Sequence, residues 1–478
     1  MRVRVQVVIE SDHGNREVIE EVTRLERGAL QLETLGLTLA EAKALLQGVQ
    51  RTVVTQQVAD YLEQQRCCSQ CGAKRSRKGQ HEIVLRSLFG KLSLTSPRFY
   101  SCQCKPQAKE SSSPLTELLR ERTAPELLYL EAKFASLMSY GLTVDLLTEV
   151  LPIGRQINTT GVRRQLQRVA ERTESELGEE QFSFIEGCQR DWDRLPPPGP
   201  PLTVGLDGGY VHAREQRSRM EGWFEVIAGK SIASEGEAKC FAFVNTYDTK
   251  PKRRLFELLK SQGLAMNQQV VFLSDGGETV RELQRYLSPE SEHYLDWFHI
   301  TMRLTVMGQL AKGLAAAGKP TREKDEGQDE PLDVVEVEKD LERLKWYLWH
   351  GNVYRSLQII EGLEGDLESL SGSSENGKKL WKAMKEFGGY IEANRAFLPN
   401  YGDRYRYGET ISTAFVESTV NQVISKRMVK KQQMRWSKRG AHLLLQVRTQ
   451  TLNHSLRKTF CRWYPGMQAE SREEKKLA

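Results

Sequence analysis

Three carboxylates stand among apolar residues, where a charge needs compensation. The first is Asp207, in the middle of TVGLDGGYVHA (203–213). Val204, Leu206, Tyr210 and Val211 give that stretch the pattern of a half-buried strand. A metal ion is the usual compensation for a carboxylate inside such a strand. Gly208 and Gly209 leave room for a ligand or another backbone to come close. Taken alone, Asp-Gly-Gly reads as a strand end capping a turn; two further acids argue for more. Asp275 closes QVVFLSDGG (269–277), and strand carboxyl ends are where α/β sheets place their sites. It can therefore face Asp207 across adjacent strands, and two such carboxylates repel unless a cation lies between them. The third acid should come from a helix after the sheet. In ISTAFVESTVNQVISKRM, read as a helix, Glu417 shares a face with Thr413, Val420, Asn421, Ile424 and Met428. Its competitor, Glu409, lies in the polar turn RYRYGET.

A second chemistry belongs to the cysteines. Five of the eight fall between Cys67 and Cys104, as RCCSQCG and then CQC. The intervening HEIVLRSLFGKLSLTSPRF alternates like a hairpin turning at Phe89-Gly90-Lys91, which would bring Cys68 and Cys71 to Cys102 and Cys104. Four thiolates suit the tetrahedral preference of Zn²⁺, and a closed set of this kind is structural. The second pair is Cys-x-Cys, so Cys67 and His81 stay open as substitute ligands. Disulfides are the competing use, disfavoured in a cytosolic chain.

The elements that must position these groups follow from the pattern. Residues 15–65 read as helical, with Leu30, Leu32, Leu35, Leu37, Leu39, Ala42, Leu45 and Leu46 as an apolar stripe. Thr38-Leu-Ala-Glu41 fits a capping box, so a helix should start there and run towards Gln65. Helices are expected at 126–139, 143–151 and 159–176. The last carries Arg163, Arg164, Gln165 and Arg168 after the turn PIGRQIN, the layout of a helix-turn-helix. LPPPGPP (195–201) is a stiff linker and an expected boundary. Strands at 203–213, 222–232 and 239–248 precede a helix at 251–262. A strand at 269–277, a helix at 278–287 and a strand at 292–300 follow. This order, an antiparallel meander joined to a parallel pair, is that of an RNase H-like domain. A charge-rich helical insertion (319–408) interrupts it before Glu417.

At 478 residues the chain should form two to four domains. The expected order is an N-terminal helical region (1–65), a zinc ribbon (66–110) and a helix-turn-helix-like region (115–185). The Pro-rich linker (186–202), the first part of the core (203–318) and the insertion (319–408) come next. C-terminal core helices with a basic surface (409–464) and a tail (465–478) complete it. No run reaches the ~18 apolar residues of a membrane span, and MRVRVQVVIESD lacks a signal peptide's apolar centre. A cytoplasmic location is expected. Net charge is +6, unevenly spread. From Arg66 to Lys109 there are ten Lys/Arg and one acid, and from Ser418 to Ala469 eleven and none. Thr321–Leu370 holds fourteen acids against six Lys/Arg. Two basic blocks suggest a polyanion, nucleic acid above all. Lys426, Arg427, Lys430 and Lys431 are candidate phosphate contacts. No GxxxxGK[ST] is present to suggest a nucleotide cofactor.

LGLTLAEAKALL, the CxxCG…CxC ribbon, GLDGGYV, FEVIAGK, LSDGGE, LDWFH, VESTVNQ and MRWSKRGAHLLLQVRT occur in one order. In this order, from about Leu30 to Tyr464, the chain resembles the DDE transposases of bacterial insertion sequences, most closely the ISKra type. The resemblance implies a catalytic triad of Asp207, Asp275 and Glu417 holding two Mg²⁺ (or Mn²⁺) ions. These would serve cleavage at the element's ends, then attack of the freed 3′-OH on target DNA. Asp296-Trp-Phe-His299 is similar to the auxiliary Asp-x-x-His pair that Mutator-like transposases carry after the second acid. Asn421, Trp436 and Arg439 are implied contacts to the ends. The implied partner is double-stranded DNA, both terminal inverted repeats and target. The implied setting is a bacterial cytoplasm, on the nucleoid when DNA-bound, and pairing two ends implies at least a dimer. A transposase-derived DNA-binding protein without activity, and an RNase H-like nuclease without strand transfer, are the alternatives.

Overall fold

The computed structural model describes residues 1–10, 17–104, 110–180, 189–214, 222–233, 236–277, 283, 291–317, 334–371, 375–429 and 434–467. All but one residue of the helix expected at 278–287 lies outside them, as do residues 319–333 of the insertion. The chain divides into two compact units, Met1–Arg172 with Gln450–Ala478, and Thr173–Thr449. The expected Pro-rich boundary lies inside the second unit. There Asn267 Nδ2 donates to the Pro196 carbonyl (3.0 Å) and Gln268 Nε2 to that of Pro200 (2.7 Å).

The first unit opens with an antiparallel hairpin, β1 (Arg2–Glu10) and β2 (Glu17–Glu26). This corrects the helical reading of the stretch from residue 15. RVRVQV alternates with period two, which a helix cannot turn to one face, and it pairs with EVIEEVTRLE as a strand although Val18, Ile19, Val22 and Leu25 there follow a helical spacing. Helix α1 (Leu39–Gln64) starts at the expected capping box: Glu41 N–H donates to Thr38 Oγ1, and the Glu41 carboxylate accepts from Thr38 N–H. Its apolar side, Val54, Val58, Tyr61 and Leu62, packs on Ile83, Leu92, Leu94 and Leu115. The leucines from Leu30 to Leu39 are exposed rather than a core-facing stripe. Strands β3 (Arg77–Ser87) and β4 (Gly90–Tyr100) form the ribbon hairpin. Its turn is Leu88-Phe89, one residue earlier than expected, because Gly90 (φ +123°) supplies the conformation that closes the register at Ser87–Gly90. The short strand β5 (Ser111–Ser112) pairs with the end of β4 and leads into α2 (Pro114–Leu118). Then come α3 (Pro125–Leu137), α4 (Tyr140–Val150) and α5 (Thr159–Glu176), close to the three helices expected.

In the second unit a short α6 (Gln189–Trp192) precedes β6 (Leu202–His212), β7 (Trp223–Ile232) and β8 (Lys239–Val244). Helix α7 (Pro251–Lys260), β9 (Val270–Ser274) and β10 (Glu292–Leu295) follow. The sheet order is β10-β9-β6-β7-β8, with β6-β7-β8 antiparallel and β6-β9-β10 parallel. Val204, Leu206, Phe241, Phe243 and Phe272 bury one sheet face against Leu255 and Leu259 of α7. The strand expected over 292–300 ends at Leu295, because Asp296 caps a helix: Phe298 N–H donates to its Oδ1 at 2.9 Å. That helix is α8 (Trp297–Ala317).

With α9 (Val334–Trp349), α10 (Val353–Ser371), α11 (Glu375–Ala393) and α12 (Tyr401–Arg406), α8 builds an all-helical insertion with its own apolar centre. The chain returns as α13 (Ala414–Val420), continues as a π-helical stretch (Asn421–Val429), and ends in α14 (Lys438–Leu452) and α15 (Leu456–Trp463). Among the described residues no helix is long and apolar enough to cross a membrane.

Candidate functional site

The register of the two central parallel strands sets the acids. Val204 pairs with Phe272 and Gly205 with Leu273, so two residues further on Asp207 stands beside Asp275. Asp207 also pairs with Ala228 of β7 and is half-buried. Burial pushes its carboxyl up, and the charges of Asp275 and Asp296 push the same way. The Gly208 amide, donating to Asp207 Oδ1 at 2.7 Å, and the His299 ring oppose them. Asp275 sits in the turn after β9, where its Oδ1 accepts from Gly277 N–H (3.2 Å). Gly276 is required there: its φ is +90°, and a Cβ would lie 2.4 Å from Asn394 Oδ1.

Gly205, Asp207 and Gly209 point to one sheet face, opposite α7. The returning helix lies on that face. A Cβ at Gly205 would meet Val416 Cγ2 at 2.2 Å, and one at Gly209 would meet Ile424 Cδ1 at 2.9 Å and Val420 Cγ1 at 3.5 Å. These two glycines therefore admit a helix rather than a ligand, and Asp207 lies between them, facing the turn from Val416 to Val420. Glu417 belongs to that turn but is exposed. Val416, Thr419, Val423, Ile424 and Met428 are buried, so of the face expected to include Glu417 the residues Thr413, Ile424 and Met428 turn inward while Glu417 itself does not. Val416 takes the space over Gly205, and the π-helical stretch shifts the period beyond Asn421. Glu409 is held by Arg404 at the end of the insertion.

Asp296 is fully buried. Its Oδ1 accepts from Phe298 N–H (2.9 Å) and Thr413 N–H (2.8 Å). Its Oδ2 accepts from the Thr413 hydroxyl and pairs with His299 Nδ1 at 2.6 Å. Burial works to raise this carboxyl, but the hydrogen bonds outweigh it and hold it below its ordinary value. Four contacts fill the carboxylate's lone-pair sites, so Asp296 orients rather than ligates. It fixes the His299 ring and raises that group's pKa, chiefly through the shared hydrogen bond, while Asp207 and Asp275 add to the shift. The sequence offered Asp296 and His299 as a pair; Thr413, which completes it, was legible only as a residue on the Glu417 helix.

In the first unit the four cysteines converge. Cys68 Sγ lies 3.5 Å from Cys104 Sγ, Cys71 Sγ lies 3.3 Å from Cys102 Sγ, and all four sulfurs are within 4.8 Å of one another. Backbone N–H groups of Cys71 and Gln70 lower the Cys68 thiol to about 6, while the neighbouring cysteines, Cys102 first and then Cys68, raise that of Cys104. This set could hold zinc. Cys67 lies outside it, and His81 instead bonds Thr116 Oγ1 (3.0 Å). Glu174, Asp248 and His442 also crowd together, but the Arg254 guanidinium occupies their centre. It pairs with both Glu174 oxygens at 2.9 Å and with both Asp248 oxygens, at 2.9 and 3.2 Å. Burial disfavours these charges; hydrogen bonds from His442 and Arg254 more than offset it and hold Glu174 at about 2. The cation of this cluster is an arginine.

Of the other expected contacts, Arg163, Arg164 and Arg168 are exposed along α5. Arg164 and Arg168 line a cleft of about 740 Å³ with Arg86 and Glu131. The last two were not singled out in the sequence; burial pushes Glu131 up to about 7. Lys426 and Arg439 are exposed and Asn421 is half-buried. Arg427 and Trp436 are buried, with the guanidinium 5.3 Å from the ring, so their part is in packing. Lys430 and Lys431 lie outside the described residues. No protein-family model matches the chain, and no curated protein does either.

Removing the Asp296 carboxylate leaves two amides, a hydroxyl and a buried ring without their acceptor. We expect Asp296→Ala to cost about 3 kcal/mol or more in urea unfolding. His299→Gln should cost less, and its effect should depend on pH. His299 is raised when folded, so its contribution is complete below its ordinary value near ~6.5 and is lost as pH rises through the raised value. A wild-type and a His299→Gln protein with parallel stability profiles across that range would contradict the assignment.

Proposed function

We propose that the protein is a DDE-type DNA transposase whose sheet and returning helices form an RNase H-like catalytic core. The observation that carries this reading is that Asp207, in the middle of β6, stands beside Asp275 at the carboxyl end of β9, under the helix that bears Glu417. Asp207, Asp275 and Glu417 would hold two Mg²⁺ or Mn²⁺ ions, whose chemistry is to activate an attacking oxygen and stabilise a leaving one in phosphodiester transfer. The raised pKa of Asp207 comes first from burial, with a smaller part from the charges of Asp275 and Asp296, and a cation would relieve both. Asp296 aligns the start of the Glu417 helix with the strand ends. It also keeps the His299 ring turned towards the acids, where a positive charge favours an approaching phosphate.

Recognition falls to other residues. In the first unit Arg163, Arg164 and Arg168 on the helix-turn-helix-like α5, and separately in the second unit Lys426 and Arg439, would meet phosphates of double-stranded DNA, at the element's ends and in the target. The ribbon belongs to the same unit as Arg163, Arg164 and Arg168. Its four cysteines would hold one structural Zn²⁺, because a hairpin with so small an apolar face gains much of its order from a metal.

The test is a strand-transfer assay with oligonucleotides carrying the element's ends. Wild-type protein with Mg²⁺ or Mn²⁺ should cleave the ends and join them to target DNA. Asp207→Ala, Asp275→Ala and Glu417→Ala should each lose both steps, by on the order of 10³-fold or more, and bind the ends as before. Glu409→Ala should stay active. Cleavage without joining would make the protein a nuclease, and binding without either step a DNA-binding protein; both outcomes overturn the proposal. Zinc is checked separately. Metal analysis of protein purified without chelators should give one zinc per chain, and Cys71→Ser with Cys102→Ser should remove it; a zinc-free wild type would sink the ribbon assignment.

A further inference from the structure

The cleft beside α5 ends on a carboxyl that no described group answers. Glu131, on α3, is only 3% exposed, and its Oε2 has no hydrogen-bond partner among the described residues. Gln156, in the turn before α5, likewise carries a buried Oε1 without a partner among them. Both residues line the cleft of about 740 Å³ to which Arg86, Arg164 and Arg168 contribute. Arg164 and Arg168 are exposed, so the cleft runs from a cationic rim to a buried acid. Burial pushes Glu131 up to about 7, against the opposing effect of the Arg86 charge. An unanswered carboxyl at this depth costs free energy that a donor from outside would recover. The walls are held in place. The Arg86 amide donates to the Arg122 carbonyl (2.9 Å), its carbonyl accepts from Ala124 N–H (2.7 Å), and Gln165 Nε2 donates to Thr123 Oγ1 (3.0 Å).

We propose that this cleft binds a guanine nucleotide, its phosphate against Arg164 and Arg168 and the N–H edge of its base against Glu131 and Gln156. Both unpartnered atoms accept hydrogen bonds, so the ligand must bring donors. Three guanidinium groups call for an anion at its other end, and they disfavour a cationic donor such as an ammonium. The donors are therefore neutral N–H groups. Guanine presents N1–H and the N2 amino group side by side, the pair that a carboxylate accepts in parallel; adenine, cytosine and thymine have no two adjacent donor atoms on that edge. A cleft of this volume suits a nucleotide better than a bare phosphate. In a duplex cytosine occupies the same edge, so the guanine comes either from a free nucleotide or from an unpaired stretch of a DNA strand. The inference goes beyond the proposed reaction and does not need it. Every residue of the cleft lies in the first unit, and Asp207, Asp275 and Glu417 lie in the second.

The experiment is titration calorimetry on the full-length protein without divalent metal, so that failure of the strand-transfer reading leaves the readout untouched. Wild type should bind dGMP on the order of 10-fold or more tighter than dAMP, dCMP, dTMP or inorganic phosphate. The nucleotide dIMP, which lacks the N2 amino group, should lose most of that preference. Glu131→Gln keeps the shape of the side chain but replaces an acceptor with a donor, and should lose the preference for dGMP while circular dichroism shows the wild-type fold. Arg168→Ala, on the exposed rim, should weaken dGMP by on the order of 10-fold and leave the phosphate-free deoxyguanosine unchanged. Competition with a single-stranded oligonucleotide carrying one guanine separates the two sources: displacement of dGMP at lower concentration than free dGMP itself assigns the cleft to a DNA strand, and weaker displacement assigns it to a free nucleotide. Absence of dGMP binding at millimolar concentration, equal binding of all four nucleotides, or a Glu131→Gln protein that binds dGMP as wild type does would each overturn the proposal.

Discussion

The candidate active site depends on one buried carboxylate. Between Asp296 and Thr413 the chain makes an excursion of 117 residues through the helical insertion, and the Asp296 side chain closes it. Its backbone amide donates to the Ser274 carbonyl (2.8 Å), beside Asp275, while its two oxygens hold the first residues of α8 and the cap of α13. Trp297 N–H to the Ile411 carbonyl (3.2 Å) and the Tyr401 hydroxyl to the Leu295 carbonyl (2.8 Å) reinforce the same closure. An insertion of this size adds conformational entropy that would otherwise blur where the returning helix starts. The clasp removes that freedom, so the helix bearing Glu417 meets the sheet at a set position.

The sheet supplies the complementary constraint. Gly205 and Gly209 have no side chains, which lets α13 and the π-helical stretch approach β6 on both sides of Asp207. On the opposite face the apolar contacts with α7 fix the strand's orientation, and a one-residue slip would turn Asp207 into that core. The Arg254 network follows a different logic. There the cation is part of the chain, both carboxylates are saturated, and the cluster holds elements together. Asp207 and Asp275, by contrast, have no arginine between them among the described contacts, and burial leaves Asp207 with a raised pKa.

Much of this was legible in the residues. Runs of apolar and aromatic residues marked β6 to β9, and Thr38 with Glu41 marked the start of α1, because both signals are local. The four cysteines converge because the hairpin between them was readable from its alternation. Three features were not legible. The N-terminal hairpin was taken for helix because leucine spacing just beyond it imitated a helical stripe. Residues 296–300 looked like a continuing strand because tryptophan and phenylalanine suit either state, and only the capping role of Asp296 decides between them. On α13 it is Val416 and not Glu417 that turns inward, because Gly205, some two hundred residues earlier, accepts Val416. A contact of that kind has no trace in the helix's own sequence.

The central claim is that Asp207 and Asp275, with Glu417 above them, form a divalent-metal site, and crystals soaked in Mn²⁺ test it most directly. The account predicts anomalous Mn²⁺ density in contact with the carboxylates of both Asp207 and Asp275, with Glu417 turned inward to join them. Mn²⁺ density found only elsewhere on the protein, or none at these carboxylates, would contradict it.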